Sequence, residues 1–131
     1  MALKPGLART DGFVVADRMV TDVGGSLAAP VLSTHSMIAM MERNAAILAQ
    51  EHLTTGESTV GFAVCVKHVA SALEGASCSV SADLREVIDG RKLHFDVEVS
   101  EGQRTIGVGT HERRVIDVHA HAQRARATTT P

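Results

Sequence analysis

The chain has 131 residues, of which 44% are hydrophobic, and a formal net charge of −2, with a pI near 6.4. That fits one domain with a core of its own and excludes a disordered chain. The charge balance gives no reason to expect nucleic acid or an anionic membrane as the main partner, and no apolar run approaches the roughly 18 residues that span a bilayer.

Residues 1–12 carry Pro5, Gly6 and Gly12 and read as a loose start. Phe13 to Val20 reads as a short strand. Thr21 to Pro30 is a loop punctuated by Gly24 and Gly25. Ser33 and Thr34 offer an N-cap, and a long helix follows from Ser36 to about Leu53. It is rich in Ala, Leu, Met, Glu and Gln, which favour helix. Gly56 is a natural stop.

Within that helix Ile38, Ala45 and Ala49 form a stripe at helical spacing, and Glu42 falls on it. A carboxylate on a core-facing stripe is costly unless paired, hydrogen-bonded or protonated. Such a group suits acid–base work. The bland alternative places Glu42 at the stripe's edge, reaching water.

After the helix the period changes. Val60, Phe62, Val64 and Val66 alternate with Gly61, Ala63, Cys65 and Lys67, which is strand spacing. Ser77 to Val87 alternates more weakly. Asp89-Gly90 is a strong hairpin signal. Leu93 to Val99 is another strand, Glu101-Gly102 the next turn, and Arg104 to Val118 a final long strand. Gly107 and Gly109 inside it point to a bulge or a close backbone approach. Residues 119–131 show no apolar pattern and read as a mobile tail behind a domain of residues 1–118.

One apolar helix of this length needs a sheet around it. The expected fold is therefore α+β: a single hotdog domain, with a long central helix wrapped by a curved antiparallel sheet of about five strands.

Trp and Tyr are absent and Phe occurs three times, so aromatic stacking platforms for bases or sugars are not expected. The two cysteines, Cys65 and Cys78, lie in apolar runs and read as small buried hydrophobes. With no signal-like N-terminus, the chain reads as reduced and cytoplasmic.

Four places carry catalytic potential. Thr34 lies at the helix start, where anions are favoured. Glu42 is two turns on. His68 shares a pleat face with Phe62, Val64 and Val66 and should be partly buried. Arg113 lies in the last strand. Each has a plainer reading: a cap, a stripe edge, a satisfied core histidine, and, beside Arg114, a solvated strand end. Gly61 alone reads as a bulge. His119 and His121 form an H-x-H pair near Asp117, but a mobile tail preorganises no metal site, and none is expected.

Taken together, Thr34 with Met40-Met41-Glu42, Val60-Gly61-Phe62-Ala63-Val64-Cys65-Val66-Lys67-His68 and Ile106-Gly107-Val108-Gly109-Thr110-His111-Glu112-Arg113 resemble the hotdog thioesterase family typified by fluoroacetyl-CoA thioesterase. The resemblance runs from about Ala29 to Ile116. It implies hydrolysis of an acyl-CoA or acyl-carrier thioester without a cofactor. It implies that Thr34, Glu42 and His68 form the catalytic set, that the Gly61 N–H helps bind the thioester oxygen, and that Arg113 lies near the acyl group. It also implies a homodimer or dimer of dimers with sites at the subunit interface. Glu42 would deprotonate water or attack to form an anhydride. Lys67, Arg104 and Arg114 are candidates for the CoA phosphates.

One departure stands out. The fluoroacetyl-specific member covers its small pocket with aromatic side chains, whereas nothing aromatic lies between Phe13 and Phe62 here. A pocket lined by Met37 and Met41 is expected instead, with room for a longer, branched or ring-containing acyl group. The competing readings are a hotdog dehydratase or hydratase and a binding module without chemistry.

Overall fold

The computed structural model describes residues 3–129. Helix α1 spans Thr34–Gln50 and is capped by Ser33, whose Oγ accepts from the Ser36 N–H at 3.2 Å. It is three residues shorter at its C-terminal end than its composition suggested. Its buried face is Met37, Met41, Asn44, Ala45, Leu48 and Ala49. Ile38 is only half-buried, so the true stripe is rotated from the expected one, and Glu42 lies on its shoulder.

Strand β1 (Ala8–Val14) precedes the helix, together with a 3₁₀ turn at Asp17–Met19 and two short paired strands, β2 (Val20–Thr21) and β3 (Val31–Leu32). The loose start and the Phe13–Val20 strand are thus corrected. Pairing with residues 77–83 draws residues 8–14 into the sheet, and the chain turns at Asp17. After the helix come β4 (Glu57–His68), β5 (Ser77–Ile88), β6 (Lys92–Glu101) and β7 (Arg104–Asp117). They form one antiparallel sheet in the order β1-β5-β6-β7-β4. This is the hotdog arrangement.

The core lies between α1 and this sheet. Along β6, Leu93, Phe95, Val97 and Val99 are buried at period two, as are Cys78, Val80, Ala82 and Leu84 along β5. Burying each large side chain stabilises by about 1.5–3 kcal/mol. Asp89 and Gly90 both take positive φ, as a two-residue hairpin turn requires. Gly107 faces Met37, whose Sδ would overlap a Cβ there. Met37 and Met41 are therefore 0% and 1% exposed. They plug the helix onto the sheet, and neither is open to solvent in the single chain.

Val118–Thr129 forms helix α2, with the Asp117 carboxylate accepting from Ala120 N–H at 2.8 Å. The residues expected to form a mobile tail are thus helical through Thr129. Cys78 is buried, but Cys65 is exposed, contrary to its apolar neighbours. No helix among the described residues is long and apolar enough to cross a membrane.

Candidate active site

Ser33 caps α1, which frees the next hydroxyl. Thr34 Oγ1 lies 2.9 Å from His68 Nδ1. The Nε2 atom of His68 is buried with no hydrogen-bond partner. Burial pushes this imidazole below its usual value, with the Ala70 backbone acting the other way. The pair borders a cleft of ≈ 340 Å³, also lined by Val23, Val31 and Val69.

Glu42 belongs to a second group. Its side chain keeps 43% exposure, so the edge-of-stripe reading describes its position. Its carboxylate points at the backbone of Gly61: a Cβ built there would lie 2.7 Å from Oε2. Arg113 comes from the facing strand, since Gly61 and Arg113 are cross-strand partners. Its Nη1 is 3.8 Å from Glu42 Oε2.

Arg113 is buried and has no solvated strand end around it. Its Nε donates to Thr59 Oγ1 at 2.8 Å, Nη2 to the Thr59 carbonyl at 3.1 Å, and Nη1 lies 3.2 Å from His111 Nε2. Burial lowers its pKa and Glu42 opposes that shift. The Arg114 side chain lies on the opposite face of the strand, with its Nη1 donating to the Arg113 carbonyl at 3.4 Å. It stacks over Phe62 with its guanidinium carbon 3.7 Å from the ring centroid, and Glu112 lies 3.5 Å from it. Arg104 is held by Glu101 and the Ser71 carbonyl. Of the three expected phosphate ligands, Lys67 is exposed.

A β-bulge permits both groups to face the helix. Gly61 and His68 are seven residues apart, so in a regular strand they would point to opposite faces. The register shift between Gly61 and Ala63 leaves Phe62 without a partner on β7 and resets the parity. Even so, Thr34 and Glu42 are eight residues apart on α1, about 12 Å along its axis. One chain therefore holds the Thr34–His68 pair and the Glu42 group as two separate clusters.

Thr59 and His111 escaped the sequence reading. Their signal was strand parity: His111 lies two residues before Arg113, and Thr59 two before Gly61, on the same faces. His119 and His121 are two apart on α2 and do not face each other. No group of three metal-ligating side chains occurs among the described residues.

This arrangement has known counterparts. Residues 15–119 match the model of the family described as fluoroacetyl-CoA-specific thioesterase. The chain belongs to this family. A curated fluoroacetyl-CoA thioesterase of Streptantibioticus cattleyicolor is 36% identical over 99 residues, 76% of this chain and 70% of that protein. A solved structure of the fluoroacetyl-CoA thioesterase FlK superposes with a TM-score of 0.88 at 30% identity, covering 100% of both chains. A hot-dog-like protein from Thermanaerovibrio acidaminovorans shares the fold, with a TM-score of 0.88 at 19% identity over 97% of this chain and 93% of that one. As a member of this thioesterase family, the chain is a thioester hydrolase.

Proposed function

We propose that this thioester hydrolase cleaves acyl-CoA thioesters with Glu42 as the reacting carboxylate, Thr34 and His68 handling protons, and Gly61 and Arg113 at the acyl end. The observation that carries the reading is the approach of Glu42 Oε2 to the Gly61 backbone beside a buried Arg113. Without a side chain at 61, a thioester carbonyl has access to the bulged backbone. A preorganised N–H donor there typically contributes about 2.7–4 kcal/mol to the transition state. Glu42 either takes a proton from water or attacks the carbonyl itself. In the first route water oxygen adds to the carbonyl carbon, and the C–S bond breaks with its electron pair leaving on sulfur. In the second the C–S bond breaks to a mixed anhydride, which water then opens. Thr34 holds His68 through Nδ1, and this pair handles the proton that the departing thiolate takes up.

The two clusters call for a second copy. Strand β4 is an edge strand, with Phe62 and Val64 63% and 38% exposed. Such an edge normally needs cover. Antiparallel pairing of two β4 edges centred on Val64 and Cys65 sets Gly61 of one subunit opposite the partner subunit's His68. We therefore assign a homodimer in which Thr34–His68 of one chain completes the Glu42 group of the other. Mixing inactive Glu42→Ala and His68→Ala subunits tests this directly. Mixed dimers regain one good site if the site is shared, and regain nothing if each chain holds its own.

The relative from S. cattleyicolor is named for fluoroacetyl-CoA. In this chain the 22–30 loop holds no aromatic side chain, and Val23 and Leu27 are exposed there. These aliphatic residues favour a larger acyl group, branched or ring-containing, carried on CoA or on a carrier protein. Thiol release from acetyl, fluoroacetyl, branched and aryl CoA thioesters ranks the classes. Turnover that survives Glu42→Ala would remove Glu42 from the chemistry. Label from H₂¹⁸O entering the Glu42 carboxylate in a single turnover would select the anhydride route.

A further inference from the structure

His111 is 1% exposed and touches neither the cleft nor Glu42 by a hydrogen bond. Its ring stacks on Phe95 of β6, with centroids 6.2 Å apart and planes at 26°. Nδ1 lies 2.8 Å from the Ala63 carbonyl of β4. A carbonyl only accepts, so Nδ1 carries the proton, and in the neutral ring Nε2 is left as an acceptor. The atom facing that lone pair is Nη1 of Arg113, which can only donate, at 3.2 Å.

We propose that His111 is a positioning residue for hydrolysis: held as the neutral Nδ1–H tautomer, it uses Nε2 to fix the Arg113 guanidinium beside Glu42 and Gly61. Three acceptors then define the plane of the buried guanidinium, namely Thr59 Oγ1, the Thr59 carbonyl and His111 Nε2. Thr59 alone fixes one edge. His111 fixes the Nη1 corner, which is the corner turned to Glu42. An imidazolium would remove that acceptor and set two cations in contact. The surroundings oppose this outcome. Burial is the largest influence and lowers the His111 pKa, as does Arg113, while the Ala63 carbonyl, Glu42 from α1 and Glu112 from β7 act the other way. Phe95, from β6, brings no charge.

The proposal rests on Glu42 as the reacting carboxylate, so its test separates the two. In His111→Gln the amide oxygen takes the place of Nε2 and still accepts from Arg113. In His111→Asn the amide N–H takes the place of Nδ1–H and satisfies Ala63, but Nη1 loses its hydrogen-bond acceptor and keeps only the longer ion pair with Glu42. Both lose the stack on Phe95 equally. The expected result is that the Gln variant keeps most of kcat, while the Asn variant loses about ten- to a hundredfold in kcat with little change in KM, the scale for sub-ångström to 1 Å misplacement. Equal kcat in the two folded variants would overturn the proposal. Nitrogen-15 spectra of histidine-labelled wild-type dimer give a second reading that needs no variant to fold. An unprotonated Nε2 and protonated Nδ1 on His111 at neutral pH are expected, and the opposite tautomer would refute the assignment. If Glu42→Gln stays fully active, the carboxylate reading has failed, and the spectra still decide how His111 meets Arg113.

Discussion

Replacing Gly61 with alanine isolates the contact on which the proposed site rests. The added Cβ would stand 2.7 Å from Glu42 Oε2, 3.5 Å from Arg113 Nη1 and 3.7 Å from His111 Cε1. Only the first is short, by about 0.7–1 Å against ordinary heavy-atom contact. The atom that must yield is the tip of a side chain with 43% exposure, so Glu42 can swing aside with little loss of packing. Gly61 has no positive φ, and alanine also lowers the entropy of the unfolded chain. Stability should therefore stay level or rise by up to about 1 kcal/mol. Activity should not stay level, because a displacement approaching 1 Å at a reacting group costs on the order of 10²-fold in rate. The assay pairs urea unfolding with thiol release from the best acyl-CoA. The expected pattern is unchanged or improved stability with kcat/KM reduced ten- to a hundredfold, about 1.4–2.7 kcal/mol. Activity within about twofold of wild type would refute the argument that the Glu42–Gly61 approach is part of the chemistry. A large loss of stability would show instead that Gly61 serves the fold.

Gly109→Ala should behave in the opposite way. Its Cβ would collide with the Cys65 carbonyl and lie 2.6 Å from Val66 Cα, both backbone, so unfolding should come about 1–3 kcal/mol earlier or more, read by urea titration. Thr34→Val should leave stability within about 0.5 kcal/mol while lowering kcat, since Ser33 holds the cap. Ser33→Ala should cost about 1 kcal/mol. Equal stability losses would refute that division of labour. Burial lowers the imidazoles of His68 and His111, so the unfolded chain binds their protons more readily. Their contribution is complete above the unfolded value of about 6.5 and is lost as pH falls from there toward the folded values. Urea midpoints should drop between about pH 7 and pH 5, less steeply in His111→Gln. An identical slope in the variant would refute the assignment to His111.

The fold was legible where local pattern and tertiary contact agree. The alternation in 93–99, the Asp89-Gly90 turn and the change of period after the helix all report side chains that meet the core at regular intervals. The misreadings lie where pairing overrides pattern. Residues 8–14 have no distinctive alternation and become a strand because β5 offers them an edge. Val118–Thr129 has no apolar face to announce a helix, yet Asp117 starts one. Arg113 looked solvated beside Arg114 because strand neighbours point to opposite faces. One is wrapped by Thr59 and His111, while the other lies on Phe62.

The helical stripe taught a subtler lesson. Ile38, Glu42 and Ala45 do follow helical spacing, but Met37, Met41, Ala45 and Leu48 follow it equally well, and it is this second set that the sheet buries. A helix with small and large apolar residues on adjoining rows does not declare which row faces inward. Gly107 decides it, because only a glycine opposite leaves room for Met37. Rotating the helix onto Met37 lifts Glu42 to the rim, where it reaches the bulged backbone at Gly61. A carboxylate proposed to meet a substrate gains from that placement what a buried one would lose, since solvent reaches it. The bulge completes the argument. One extra residue at Phe62 turns Gly61 and His68 to the same side, so a single edge strand carries both ends of the proposed site. Reversed against a second copy in the proposed dimer, that strand would bring the two ends together.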